Sequence, residues 1–403
     1  MSLELDREVV ARYAFFTVFI SGFSTGFIGI VPSYMGQSLP APLAASIDAT
    51  SLAFLTTSIA STSDDKPRIL RLARQRYVEA IRSLGHVLGE SGGINAPVIL
   101  ESILLLDQFE KMVTHAPRDS HGWTAHTRGG VTLIQQLGAS FTQTAVGRGL
   151  AARVISALIV GCGAAAIEVP EALTSLRDAI GPSMSSDIKW AFMRILADIV
   201  NLQANLHSVG DRYSPQHRAR ARALDASLLA LLARFPPSWG PRRISPIESH
   251  SHLVFGSYVE LFPNQLTRQL TTGVRCMRLV LNQIISEAGL GDSADSVTAT
   301  RDVAQGICAT VAALVLSDVF HRNDTHIPPL RQLQCCTLLA PLHLTHQVCE
   351  HTEMKTWIQG ILRYMVDSEG IKAAQDTLDL VLREPNADYW RVVSAVGSYA
   401  FAT

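Results

Sequence analysis

Apolar residues recur along most of this chain at the three- and four-residue spacing of one face of an α-helix. The first segment with this spacing covers residues 3–20. The same spacing predicts further helices over residues 43–61, 67–89, 144–167, 187–206, 215–235, 251–260, 263–287, 294–321, 331–339 and 341–355, with a terminal set to 399. No segment shows the strict alternation of a half-buried strand. The pattern therefore predicts an all-α fold, an irregular multi-helix bundle with a mostly apolar interior cavity.

Two predicted helices joined by a polar turn, residues 104–138, hold the first candidate site. Glu110 lies within the apolar face of the first helix, and Trp123 and His126 lie within that of the second. A buried carboxylate and a buried imidazole are each unfavourable unless they are paired. We therefore expect Glu110 and His126 to be in contact, directly or through a bridging water, with the Trp123 indole N–H as a further donor. A buried structural pair and a ligand-binding or catalytic role both stay open.

A second candidate site follows Pro341. The spacing of His343, His346 and Glu350 predicts that they share one helical face. Two imidazoles and a carboxylate so placed could bind a divalent metal or transfer protons, or they could pair with neighbouring helices. We predict no metal and no cofactor, and leave catalytic residues unassigned. The predicted pocket residues are Glu110, Trp123, His126, His343, His346 and Glu350.

Composition sets the broad class of the protein. The chain has 403 residues, of which 47% are hydrophobic, and a formal net charge of −1. We predict one domain over residues 1–403, with a candidate subdomain boundary near 236–247, where prolines cluster. The near-zero charge argues against direct binding of nucleic acid. Four arginines on one predicted helix are interpreted as part of a solvated face: Arg68, Arg71, Arg74 and Arg76.

The six cysteines form no Cys-x-x-Cys pair and lie in apolar surroundings, which is typical of a reduced intracellular protein. Residues 13–31 are uncharged and long enough for a membrane span. Three glycines and the following Pro32 favour instead a core helix that runs into a loop. We therefore predict no membrane association.

Several motifs resemble a known family in its own order along the chain. They are Leu-Leu-Leu-x-x-Phe-Glu at 104–110, Trp-x-x-His-x-x-Gly at 123–129, and the stretches 223–239, 301–315 and 338–362. Together they resemble the fungal-specific transcription factor domain, the regulatory domain of fungal zinc-cluster transcription factors, over residues 10–395. The resemblance implies an all-helical body in the nucleus that senses effectors, autoinhibits and contacts coregulators, often for metabolic gene clusters.

Two departures from that family affect the expected function. No six-cysteine zinc-cluster array precedes the domain in this sequence, so we expect no DNA-binding module of its own. In addition, Thr345 and His346 stand where the family tends to have small apolar residues or glycine. His346 therefore adds an inward polar group that the family's scaffold does not ordinarily require.

Three hypotheses follow. The first is a stand-alone regulator of secondary metabolism that binds a small hydrophobic ligand, or forms a homo- or hetero-oligomer with a zinc-cluster factor in the nucleus. The second is a recruited biosynthetic enzyme of cyclase or isomerase type, in the cytoplasm, with acid–base candidates Glu110, His126, His343 and His346. The third is a gene model that lost an upstream zinc cluster. The resemblance favours the first.

Overall fold

The computed structural model describes residues 6–24, 39–57, 65–89, 95–115, 118, 122–208, 214–245, 252–286, 294–315 and 328–396. Most of these residues are helical, which confirms the all-α prediction. In chain order the first helices are α1 Arg7–Ala14, α2 Ala41–Thr56, α3 Lys66–Gly89, α4 Ala96–Val113, α5 Gly122–Thr142, α6 Ala145–Ala165 and α7 Glu171–Ile180. A π-helical segment, Phe15–Ile20, continues α1.

The remaining helices follow a 3₁₀ turn at Gly181–Met184. They are α8 Ile188–Ser208, α9 Pro215–Ala233, α10 Gln265–Ser286, α11 Ala294–Val315, α12 Pro329–Cys336, α13 Leu339–Val348, α14 Thr352–Asp367, α15 Lys372–Arg383 and α16 Tyr389–Val396. Another 3₁₀ turn, Pro237–Trp239, precedes two short strands, β1 Arg242–Ile244 and β2 Val259–Leu261.

The chain divides into two compact units. Among the described residues, the first unit contains those from 6 to 165 and from 169 to 183, and the second contains 166–168 and those from 184 to 396. The candidate boundary near 236–247 lies inside the second unit. The single domain over 1–403 stays a prediction.

In the first unit, α2 packs against α1, α3 and α4, and α5 packs against α4, α6 and α7. Helix α2 is buried on almost its whole circumference. Its one charged side chain, Asp48, accepts from Arg12 Nε and Nη2 at 2.5 and 2.8 Å. The Thr50 hydroxyl donates to the Leu105 carbonyl at 2.9 Å, so α2 and α4 cross closely at this point.

Helix α6 lies close to α5 because it carries glycine at the crossing. A Cβ at Gly161 would lie 2.3 Å from the Trp123 carbonyl oxygen. By length and composition α6 could also cross a membrane, the one such helix found in the described part of the chain, and 56% of its most apolar window is buried. A buried core helix meets the same criterion, which is why this finding is weak support for a span.

The second unit corrects the prediction of a helix over 251–260. There β2 pairs antiparallel with β1, with Arg242 opposite Leu261. Gly256, at φ +82°, lies in a left-handed conformation that does not continue a helix. The pair of strands places Glu260, which is fully buried, beside two guanidinium groups at 3.3 and 2.8 Å: those of Arg243 and Arg275.

The helix predicted over 341–355 is also two helices. Helix α13 ends at Val348, and α14 begins at Thr352 after a break that contains Glu350. The His351 ring Nδ1 accepts from the Met354 N–H at 3.4 Å and so caps α14. A side chain that caps a helix start competes with continuation of the preceding helix, which the apolar spacing alone does not reveal.

Candidate functional site

Tyr77 lies between the two polar groups of the first candidate site. Its hydroxyl donates to Glu110 Oε1 at 2.5 Å and is 2.8 Å from His126 Nε2. The tyrosine comes from α3, the glutamate from α4 and the histidine from α5, so one phenol joins three helices. Thr114 Oγ1 donates to the other Glu110 oxygen at 2.9 Å. Glu110 and His126 are therefore linked, but through the phenol of Tyr77 rather than directly or through a water as expected.

The single hydroxyl proton of Tyr77 fixes the direction of these bonds. Because Tyr77 donates that proton to Glu110, its oxygen must accept from His126, and we assign the imidazole proton to Nε2. Burial lowers the pKa of His126, opposed in part by the negative charges of Asp107 and Glu110. Burial and the Glu110 carboxylate raise the pKa of Tyr77. A neutral imidazole and a protonated phenol suit this arrangement.

A buried ion pair lies on the same helix as Glu110. Lys111 Nζ is 2.6 Å from Asp107 Oδ2, and both side chains are about 5% exposed or less. Lys111 also donates to the Ala157 carbonyl at 3.3 Å. Burial raises the pKa of Asp107, and the neighbouring lysine charge lowers it in part. This pair was not predicted from the sequence, although its i, i+4 spacing inside an apolar helix is visible there.

Trp123 joins the end of α4 to the start of α5. The indole is fully buried, and its N–H donates to the Thr114 carbonyl at 2.9 Å. Lys111 Nζ lies 6.0 Å from the ring centroid. The indole is thus a donor, as expected, but it donates to the backbone rather than to Glu110 or His126.

The two histidines of the second candidate site lie on α13, in the second unit. His346 Nε2 accepts from the Gln359 amide at 3.2 Å, and burial lowers its pKa. His343 is 1% exposed, and neither ring nitrogen makes a hydrogen bond of normal geometry. Burial lowers the pKa of His343 to about 4, opposed in part by the Glu384 backbone carbonyl. Both imidazoles are therefore neutral at pH 7.

Glu350 does not join these histidines, which corrects the prediction of one shared face. It lies beyond the end of α13 and is exposed. Within the described ranges, no three groups from histidine, cysteine, aspartate and glutamate are placed to hold a metal ion. The predicted pocket residues thus form two separate sets, one in each unit, with Glu350 in neither.

A groove of about 260 Å³ opens between α8, α10, α13 and the start of α16 in the second unit. Its apolar lining is Leu206, Val280, Ile284 and Leu344. Its polar lining is Gln203, His207, Gln283, Gln347, Asn386, Asp388 and Tyr389. Gln203 is held in place because its Oε1 accepts from the Trp390 indole N–H at 2.8 Å. No motif in the sequence indicated this groove, because its walls come from four distant segments.

Tyr389 also lines a closed void of about 10 Å³ beside Gln269 and Thr272. The Gln269 amide and the Thr272 hydroxyl are buried and have no hydrogen-bond partner. A void of this size holds at most one water.

No protein family model, no curated protein and no solved structure matches this chain.

The first candidate set and the groove of the second unit differ in the polar groups that they present. In the first set, both Glu110 oxygens, the Tyr77 hydroxyl and the Trp123 N–H are already bonded within the protein. In the second unit, the groove presents amide, imidazole and carboxylate groups beside aliphatic side chains. Ligand pockets commonly combine an apolar wall with a few polar groups in this way.

Proposed function

We propose that this chain is a regulatory, ligand-binding helical body, and that its ligand occupies the groove of the second unit. The observation that carries the proposal is the lining of that groove, in which α8, α10 and α13 each contribute an aliphatic side chain and an amide group. A volume of about 260 Å³ with this mixed lining suits a small molecule that carries both an aliphatic part and several hydrogen-bonding groups.

The resemblance to the fungal-specific transcription factor domain supports the regulatory part of this proposal. In that role the chain would act in the nucleus, on genes of secondary metabolism, alone or paired with a zinc-cluster factor. Recognition would change the stability or the partners of the helical body rather than the ligand itself.

The biosynthetic enzyme is the second candidate, and acid–base groups on an all-α scaffold favour it. Against it, an acid or base must reach the substrate with an available atom. The carboxylate oxygens of Glu110 and the hydroxyl of Tyr77 are already hydrogen-bonded within the protein. His343 is buried, with 1% of its surface exposed. The geometry of these groups supports structural roles better than proton transfer.

The test is a thermal shift screen of the purified chain against a defined library of small, uncharged molecules that carry both an aliphatic part and hydrogen-bonding groups, with turnover followed by mass spectrometry. We expect stabilisation without turnover. In the variant Gln347→Trp a bulky ring at the groove edge should weaken binding at least about tenfold, whereas Gln375→Trp on α15 should not. Product formation that is lost in Glu110→Gln would instead favour the enzyme. Stabilisation that both tryptophan variants retain equally would overturn the groove as the site.

A further inference from the structure

Helix α3 has an exposed apolar row to one side of its buried face. Val78, Ile81 and Leu88 are 43%, 40% and 48% exposed. Together with Gly85 they follow spacings of three, four and three residues, which places all four on one side of the helix. We call these four residues the outer row. Single exposed aliphatic residues are common, but a row at helical spacing is typical of a docking face.

Four arginines accompany the outer row on the same helix. Arg68, Arg71, Arg74 and Arg82 are exposed, and within the described ranges none forms an ion pair. We call them the arginine band. Arg76 on the other side differs, because it contacts Glu8 and Glu79 at 2.8 and 2.7 Å. The band is therefore a local excess of positive charge on a chain whose net charge is −1.

Gly85 in the middle of the outer row has no role in packing within the chain. A Cβ added there meets nothing within 4 Å. Glycine inside a helix is less favourable than alanine, but here it leaves the middle of the exposed row without a side chain. A missing side chain lets the backbone of a second helix approach closely, as small residues do where helices cross.

We propose that the outer row and the arginine band bind an acidic amphipathic helix of another protein. The partner's aliphatic residues would cover Val78, Ile81 and Leu88 and cross nearest at Gly85. Its carboxylates would pair with the arginines, which supply charge complementarity and a bidentate geometry. This surface belongs to the first unit, and the proposal does not depend on the groove ligand.

Two other occupants fit the same surface less well. A second copy docked face to face would bring two arginine bands together, which is unfavourable between like charges. A membrane-surface helix inserts a face of tryptophan, phenylalanine and leucine, and the outer row has one leucine and neither of the two aromatic residues. An acidic amphipathic helix would both bury the aliphatic side chains of the outer row and pair with the charges of the arginine band.

The probe is a fluorescent helical peptide of about 20 residues with leucines at heptad spacing and glutamates on one adjoining side. The matched control peptide carries glutamine in place of every glutamate. Binding to the full chain is measured by fluorescence anisotropy at low and at moderate salt. We expect the glutamate peptide to bind at least about tenfold tighter than the glutamine peptide, and less tightly as salt increases.

Variants locate the binding on the chain. Arg71→Glu combined with Arg82→Glu should weaken binding at least about tenfold, and Ile81→Ser at least about fivefold. The matched controls are Arg363→Glu on α14 and Leu382→Ser on α15, both exposed and in the second unit. They should leave binding within about twofold of the original chain. Circular dichroism checks that each variant is folded.

Four outcomes overturn the proposal: no binding of the glutamate peptide, equal binding of both peptides, equal loss in the test and control variants, or no loss in either test variant. Vesicles of anionic lipid that bind only through the outer row, with no peptide binding, would assign the surface to membranes. A dimer in sedimentation that Ile81→Ser dissociates, again without peptide binding, would assign it to a second copy.

Discussion

Tyr77 occupies an unusual position among the polar residues of the first unit, because one hydroxyl bridges a carboxylate and an imidazole. Its ring also stacks on Phe109 at 4.5 Å between centroids. The ring and the hydroxyl of Tyr77 therefore both make contacts, as is common for buried tyrosine. Through these contacts Tyr77 joins α3 to α4 and α5.

Removal of that hydroxyl gives a direct test. Tyr77→Phe keeps the ring but leaves His126 and one Glu110 oxygen without their shared partner. We expect the free energy of unfolding to fall by about 2 kcal/mol, the usual cost of unpaired buried polar groups. Urea denaturation followed by circular dichroism measures it. Tyr13→Phe is the control, because Tyr13 is 73% exposed, and its unfolding free energy should change by less than about 0.5 kcal/mol.

The lowered pKa of His343 should make the stability of the fold depend on pH. Burial lowers its pKa from 6.5 to about 4, so the unfolded chain takes up a proton that the folded chain does not. The contribution of His343 to the free energy of unfolding is therefore fully present above pH 6.5, and it is lost as the pH falls toward 4. We expect a loss of about 2 kcal/mol between pH 7.5 and pH 5.

The measurement is the urea midpoint and slope at the two pH values, for the original chain and for His343→Gln. The variant should lack this part of the acid destabilisation. His346→Gln serves as a comparison, because His346 has a partner in Gln359. An identical pH dependence in the original chain and His343→Gln would contradict the assignment of a neutral, buried imidazole.

Glycines on two helices of this protein have different surroundings. Gly161 on α6 lies against the Trp123 carbonyl and allows α5 and α6 to pack, whereas Gly85 on α3 faces open space. The same residue type thus serves close packing inside the protein at one position and leaves an outer face open at another. Sequence spacing predicts both helices equally well and does not distinguish these two roles.

Alanine at the two positions should have opposite effects. Gly85→Ala meets no neighbour and improves helix propensity, so we expect the free energy of unfolding to rise by about 0.5–1 kcal/mol. Gly161→Ala would place a methyl group 2.3 Å from a backbone oxygen. This change should lower the free energy of unfolding by about 1–3 kcal/mol. Thermal and urea unfolding measure both. Equal effects at the two sites would contradict the packing described for α6.

At the scale of the whole molecule, the two units carry different chemistry. The first combines a closed polar network with a basic outer face on α3, and the second has the groove and the buried histidines of α13. The net charge of −1 hides this local distribution, because α3 has six lysine and arginine residues and a single acidic residue, Glu79. Partner binding and ligand binding are therefore proposed for separate units of one chain.

The sequence alone determined the helical class, the approximate helix limits, and the inward position of Trp123 and of His343, because periodic burial is encoded locally. Tertiary structure decided which polar groups meet. Tyr77 reaches Glu110 across 33 positions and the groove joins four distant segments, and no local pattern specifies such pairings. It also decided that residues 259–261 form a strand rather than a helix, because a strand requires pairing with a separate segment, here residues 242–244.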